Sequence, residues 1–137
     1  MALTHLADTS VLTRLRSTVV RAVVEPLAEA GSLGRAGVTD LEVGYAARTG
    51  REWDSLLGAV STLGLVETEA SHFVRARQVQ RLLAAKSQRG RKIPDLLIAA
   101  AAEASGLVLL HYDHDFDLIA RVTKQSCEWV VPSGSVD

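Results

Sequence analysis

Five acidic side chains carry the chemistry that this sequence offers. Asp8 stands in Leu6-Ala-Asp8-Thr9-Ser10, Glu42 in Thr39-Asp-Leu-Glu42, and Asp95 in Ile93-Pro-Asp95, while Asp113 and Asp115 share Asp113-His-Asp115-Phe116. Three or four carboxylates brought to one cleft repel, and each raises its neighbours' pKa. A hard divalent cation relieves that repulsion. Mg²⁺ or Mn²⁺ takes oxygen ligands from one or two carboxylates, with water and substrate phosphate completing the shell. The single cysteine, Cys127, excludes an intramolecular disulfide and a Cys-rich zinc site. Acids without Cys or His ligands suit phosphoester hydrolysis better than zinc chemistry. Each acid also has a purely structural reading. Asp8 can cap a helix, Thr39 and Glu42 have the spacing of a capping box, Asp95 favours a helix N-terminus, and Asp113 or Asp115 can cap the helix that follows.

The elements decide between these readings. Strands are expected at residues 3–7, 33–36, 65–68, 107–111 and 128–131, and helices at 8–15, 18–30, 39–48, 52–63, 71–88, 95–105 and 115–122. Gly31, Gly50, Gly64 and Gly106 supply the stops, Pro26 weakens the second helix, and Pro94 suits a first helical turn. Gly34 makes 33–36 the poorest strand. The helix at 95–105 is apolar nearly all round and is therefore expected to be buried. Strands alternating with helices imply a mostly parallel sheet with helices on both faces, and in such folds ligands collect at the carboxyl ends of the strands. Asp8 follows the first strand, Glu42 lies just after the second, Asp113 and Asp115 follow the strand at 107–111, and Asp95 opens the helix that feeds that strand. Capping explains an acid near one helix start, but not acids gathered where strands end.

A chain of 137 residues is the size of one domain, taken here as 1–137. With 47% hydrophobic and 23% charged residues it is a globule rather than a disordered or coiled-coil chain. A net charge of −1 excludes a globally basic nucleic-acid binder but leaves room for a local basic patch. The N-terminus has no basic run before Asp8, and the longest near-apolar stretch, 96–102, is far shorter than a membrane span. No membrane association and a cytoplasmic location are expected.

Taken in order, Leu6-Ala-Asp8-Thr9-Ser10-Val11-Leu12, Val38-Thr39-x-Leu41-Glu42-Val43, Ile93-Pro-Asp95-x-Leu97-Ile98-Ala99-Ala100 and Asp113-x-Asp115-Phe116 resemble the motifs of a PIN domain, in particular the VapC toxins of bacterial toxin–antitoxin pairs. The resemblance spans about residues 3–131. It implies an α/β fold, a three-layer α/β/α sandwich around a mainly parallel sheet of about five strands. It implies the toxin of a type II toxin–antitoxin system: an endoribonuclease dependent on one or two Mg²⁺ or Mn²⁺ ions, cutting structured RNA such as tRNA or rRNA to leave a 5′-phosphate and a 3′-hydroxyl. A homodimer and a VapB-type antitoxin that wraps the toxin and blocks its site are implied as well. Carried over by position, Asp8, Glu42, Asp95 and Asp113 match the catalytic acids, and these four with Asp115 match the metal-holding set. Thr9 and Ser10 match the hydroxyl residues after the first Asp, with helix capping as the alternative. Ala36-Gly37 departs from the usual end of the second strand. His111 stands where Thr is common, either as a phosphate contact or as a polar group at a strand end.

RNA must be held despite the near-zero net charge. Between Ala70 and Pro94 there is no Asp or Glu, and the stretch holds Arg75, Arg77, Arg81, Lys86, Arg89, Arg91 and Lys92. Arg77, Arg81, Arg89, Arg91 and Lys92 are the expected phosphate contacts, a solvated face being the alternative. Six aromatics (Tyr45, Trp53, Phe73, Tyr112, Phe116 and Trp129) are too few for a base-stacking platform. Phe116 is expected in the core, Tyr45 and Trp53 in the core or along a groove or dimer face, and Cys127 as an inert thiol. Two other functions remain open at this point. A haloacid-dehalogenase-like phosphotransferase also puts acids at strand ends, but wants Asp-x-Asp after its first strand, where this chain has Asp8-Thr9-Ser10. A non-catalytic binding module on the same fold would be marked by loss of an acid, and none is lost.

Overall fold

The computed structural model describes residues 2–88 and 92–137. Its elements run β1 (His5–Ala7), α1 (Thr9–Leu12), α2 (Thr18–Glu29), β2 (Leu33–Ala36), α3 (Gly37–Tyr45), α4 (Gly50–Val60), β3 (Gly64–Val66), α5 (Ala70–Ala85), α6 (Ile93–Ala104), β4 (Val108–His111), α7 (Asp115–Thr123) and β5 (Cys127–Trp129). The strands form one sheet in the order β3-β2-β1-β4-β5. Every pairing is parallel. The order turns about the β1/β4 pair, where the connections leave in opposite directions and open a crevice at the carboxyl ends.

Alternation along the short strands feeds two cores. Leu6 belongs to the cluster with α5, α6 and α7, while Ala7 belongs to the cluster with α1 and α2. Helix α6 is buried without a break from Asp95 to Ala102, as its all-round apolar sequence requires. Its apolar residues share one buried cluster with α5, α7 and the sheet. Phe116 is fully buried at the start of α7, as expected.

Strand β2 is better than its sequence suggests. All four of its residues are buried. A Cβ on Gly34 would lie 2.8 Å from Leu3 Cδ1 and 3.1 Å from the Gly64 carbonyl oxygen, so glycine is what allows β3 and the N-terminal segment to close on this strand. Arg35 is only 8% exposed yet satisfied. Its Nε and Nη2 donate to the two carboxylate oxygens of Asp40 at 2.8 and 3.1 Å, and its Nη1 donates to the Leu63 carbonyl. One side chain thus ties β2 to α3 and to the lead-in of β3. Other differences are smaller. Helix α1 ends at Leu12, three residues short of expectation, and α2 passes Pro26 without stopping, since only the Ala22 carbonyl loses a donor there.

Replacing Phe116 by Ala is expected to cost about 3–5 kcal/mol of stability. A denaturant midpoint unchanged from the parent would show that this ring is not the anchor of α7.

Candidate active site

The acids meet where β1 and β4 end. Asp8 follows β1 directly, and its backbone N–H donates to the Leu110 carbonyl at 2.9 Å. Its carboxylate does two jobs. Oδ2 accepts from the Ser10 N–H at 2.9 Å, which caps α1, whereas Oδ1 is buried without a hydrogen-bond partner. Asp95 sits in the first turn of α6, 4% exposed, and its Oδ2 is likewise buried without a partner. Asp113 begins the turn after β4, where its Oδ1 accepts from the Asp115 N–H at 2.9 Å. Asp95, Asp113 and Asp115 each place a carboxylate oxygen within 4.8 Å of the others. Asp8, Glu42, Asp95 and Asp113 line one cleft, and Asp115 adjoins it through Asp95 and Asp113.

Glu42 joins them through an unforeseen link. Helix α3 starts at Gly37, two residues before the expected start, so Thr39 lies inside the first turn and is no N-cap. The capping-box reading of Thr39 and Glu42 fails for that reason. Instead Thr9 donates to Glu42 Oε1 at 2.7 Å, and the Thr39 hydroxyl lies 3.2 Å from that of Thr9. Ser10 works elsewhere, its Oγ accepting from the Tyr112 N–H at 2.9 Å and so joining α1 to the end of β4.

Desolvation and mutual charge govern the electrostatics. Burial is the larger effect on Asp95, with the charges of Asp8 and Asp113 adding to it, and its pKa is pushed up to about 8. Asp8 is raised as well, first by burial and then by Glu42, against the pull of its bonds to Ser10. Lys92, the one cation bonded to these acids among the described residues, donates to Asp113 Oδ2 at 3.2 Å, and that bond raises the lysine. The cleft encloses about 250 Å³ and is lined by Asp8, Thr9, Ser10, Glu42, Asp95 and Asp113, with Thr13, Arg14, Lys92 and Tyr112 at its wall. Unpartnered buried carboxylate oxygens, a shared set of oxygen donors and absence of sulfur together fit a hard divalent cation.

The family can be read at this point. The PIN domain family matches residues 6–122. The chain belongs to the PIN-domain family. It is 63% identical, over 137 residues covering all of both chains, to a protein of Mycobacterium tuberculosis named Ribonuclease VapC51. It is 44% identical to Ribonuclease VapC21 of the same species, covering 98% of this chain and 99% of that one. Among solved structures, the DNA-bound VapBC complex of Salmonella typhimurium superposes with a TM-score of 0.77 at 19% identity, covering 94% of this chain and 99% of that one. VapBC-5 of Mycobacterium tuberculosis superposes at 0.67 with 23% identity, covering 93% and 96%. These superpositions confirm the all-parallel, five-stranded PIN fold.

Within this PIN domain several expectations change. His111 is fully buried, so it offers no contact to phosphate. Its Nδ1 accepts from the Asp113 N–H at 3.2 Å, its ring lies against Phe116 and Trp129 with centroids 5.1 and 4.9 Å away, and burial lowers its pKa to about 4. A neutral imidazole thus fixes the Asp113 turn. Of the basic stretch, Arg75 is paired to Glu103 at 2.7 Å. That contact joins the first half of α5 to the last turn of α6, so the two helices run antiparallel. Arg77 and Arg81 are exposed on α5 and Lys92 stands at the cleft, while Arg89 and Arg91 lie outside the described residues. Tyr45 and Trp53 are 94% and 47% exposed and do not belong to the core. Arg14 and Tyr112 line the cleft although their sequence context does not mark them as site residues. The i, i+4 spacing of Ser10 and Arg14 on one helical stretch is the available signal.

The raised Asp95 carboxyl makes stability depend on pH. The native state keeps this proton from about pH 4 to about pH 8, where the unfolded chain has released it, so the stabilisation is full below about pH 4 and is lost as pH rises through 8. In EDTA, the melting temperature of the parent minus that of Asp95→Asn is expected to fall between about pH 5 and pH 9. A difference that rises over this range would contradict the buried, charge-crowded site.

Proposed function

We propose that this protein is the toxin of a type II toxin–antitoxin pair, an endoribonuclease that uses divalent metal and is silenced by a VapB-type antitoxin. The observation that carries the enzymatic part is a cleft lined by Asp8, Glu42, Asp95 and Asp113, with Asp115 grouped beside Asp95 and Asp113 and with buried oxygens of Asp8 and Asp95 left unpartnered. The full-length likeness to proteins named Ribonuclease VapC and the fold likeness to VapBC complexes support the rest. Membership of the PIN family removes the dehalogenase-like alternative.

Asp8, Asp95, Asp113 and Asp115, with Glu42 held by Thr9, would hold one or two Mg²⁺ or Mn²⁺ ions, and an ion bound there supplies charge neutralisation at phosphorus and acidifies an attacking water. The chain's own groups set the geometry. Ser10 fixes Asp8 through its amide, Thr9 orients Glu42, and His111 fixes the turn that aims Asp113 and Asp115. RNA approaches over Lys92 and the exposed Arg77 and Arg81 of α5, with Arg89 and Arg91 continuing the basic run in sequence. Structured RNA, tRNA or rRNA, is the substrate class. Among the described residues no helix is long and apolar enough to cross a membrane. The cytoplasmic location, the homodimer and the single domain over 1–137 rest on the family likeness and on chain length.

A second cavity supports the antitoxin. A groove of about 810 Å³ runs between α1–α2 and α3–α4, lined by apolar side chains such as Leu15, Val24, Val43, Leu56 and Val60. Glu42 and Thr13 line both this groove and the acidic cleft. An antitoxin segment laying an apolar face in the groove reaches the cleft without a turn.

Purified protein and its Asp8→Asn twin, incubated with total bacterial RNA, test the activity. Discrete cuts that need Mg²⁺ or Mn²⁺, stop with EDTA and fall at least about a hundredfold in the twin are expected. No cuts and no Mn²⁺ binding by calorimetry would favour the non-catalytic module. Leu56→Asp is expected to abolish antitoxin inhibition while RNA cleavage persists, and inhibition that survives this change would remove the groove from the interface.

A further inference from the structure

The cleft must admit a polyanion although its wall is mostly carboxylate. Among the described residues lining it, two are cations, Arg14 and Lys92. Lys92 is engaged by Asp113. Arg14 stands differently. Among the described residues no acidic side chain pairs with it, and its anchors are main-chain oxygens and a ring. Nη1 donates to the Ser10 carbonyl at 2.8 Å and Nε to the Asp137 main-chain oxygen at 2.9 Å. The guanidinium carbon lies 4.6 Å from the centroid of Tyr112. Ring stacking and two main-chain acceptors fix the plane of the guanidinium, and among the described residues no acidic side chain is bonded to it.

We propose that Arg14 is a phosphate-binding residue of this cleft, its guanidinium, held over Tyr112, gripping a backbone phosphate of the RNA beside the one under attack. This rests on the ribonuclease reading above. The flanking position follows from the anchors. Arg14 is tied to α1 and to the C-terminal segment, whereas the carboxylate oxygens that crowd together belong to Asp95, Asp113 and Asp115. A planar fork suits phosphate in two-point contact, and a fork already fixed in place loses little freedom when the strand arrives. Tyr112 is the positioning residue. Its backbone N–H donates to Ser10 Oγ, and its hydroxyl accepts from the Gly134 and Val136 amides at 2.8 and 3.2 Å and donates to the Val136 carbonyl at 2.8 Å. One ring thus packs under the guanidinium while its hydroxyl holds the segment that supplies Nε with its acceptor.

The test separates a phosphate grip from mere support. In the Asp8→Asn background, binding of a short fluorescent single-stranded RNA of mixed sequence is measured against KCl concentration. Arg14→Gln is expected to weaken binding about tenfold and to reduce the magnitude of the log–log salt slope by about 0.7, one phosphate contact on a single strand. Arg14→Lys keeps the slope and loses affinity. Tyr112→Leu weakens binding in the parent and adds nothing on top of Arg14→Gln, as coupled residues do. With Asp8 intact, Arg14→Gln raises the RNA concentration at half-maximal cleavage about tenfold and changes the maximal rate by less than about threefold. An unchanged salt slope with a native melting temperature would overturn the proposal. So would a maximal rate that collapses while half-saturation stays, which places Arg14 at the reacting phosphate or in support of the acids. If the parent cuts no RNA at all, the ribonuclease reading fails, and the salt slope still decides whether Arg14 grips phosphate.

Discussion

Two buried carboxylates, Asp8 and Asp95, stand within each other's field with one oxygen apiece lacking a partner, and most of the fold exists to hold them there. Water would relieve such a pair by separating it. The β1/β4 pairing holds one member and the buried helix α6 presents the other, so separation requires breaking the sheet or pulling an apolar helix out of the core. A small dication would relieve that repulsion, which adds to burial in raising the pKa of Asp95 to about 8.

Around that pair, each neighbour has a divided duty. Asp8 caps a helix with one oxygen and serves the cleft with the other. Thr9 bridges α1 to α3 while steering Glu42, and Ser10 staples α1 to the end of β4. At Asp8 a helix cap and a place in the cleft coexist, whereas the hydroxyls of Thr9 and Ser10 bridge elements and do not cap. Capping and chemistry are not alternatives at a site built from the first turns of helices.

The sheet edge and its acids are legible because they depend on local signals: apolar runs ended by an acid, glycine stops, and an apolar helix opened by Pro94 and Asp95. Strand β2 looks poor in sequence because its fitness is tertiary. Gly34 serves close approach by Leu3 and the Gly64 backbone, and Arg35 finds its partner five residues later in Asp40. Glu42 can be placed in the site from its position after a strand, but its partner cannot, since Thr9 lies 33 residues away in sequence. The sequence leaves His111 open between a phosphate contact and a polar group at a strand end, and packing against Phe116 and Trp129 makes it the latter. The basic run reads as one patch, and the pairing of Arg75 with Glu103 divides it. Arg14 escapes notice because nothing in its local sequence reports the ring of Tyr112 beneath it.

The bond from the Tyr112 amide to the Ser10 hydroxyl spans 102 residues. With the bond from the Asp8 amide to Leu110, it means that the cleft closes only when β4 has docked beside β1. A chain emerging from the ribosome therefore carries Asp8 and Glu42 for much of its synthesis without a place to assemble them, because β4 follows them by more than 60 residues and docks at the centre of the sheet. Competence is switched on by the docking of β4 rather than growing steadily with the chain. For a toxin ribonuclease, that delay keeps the acids apart until the sheet that gathers them is built.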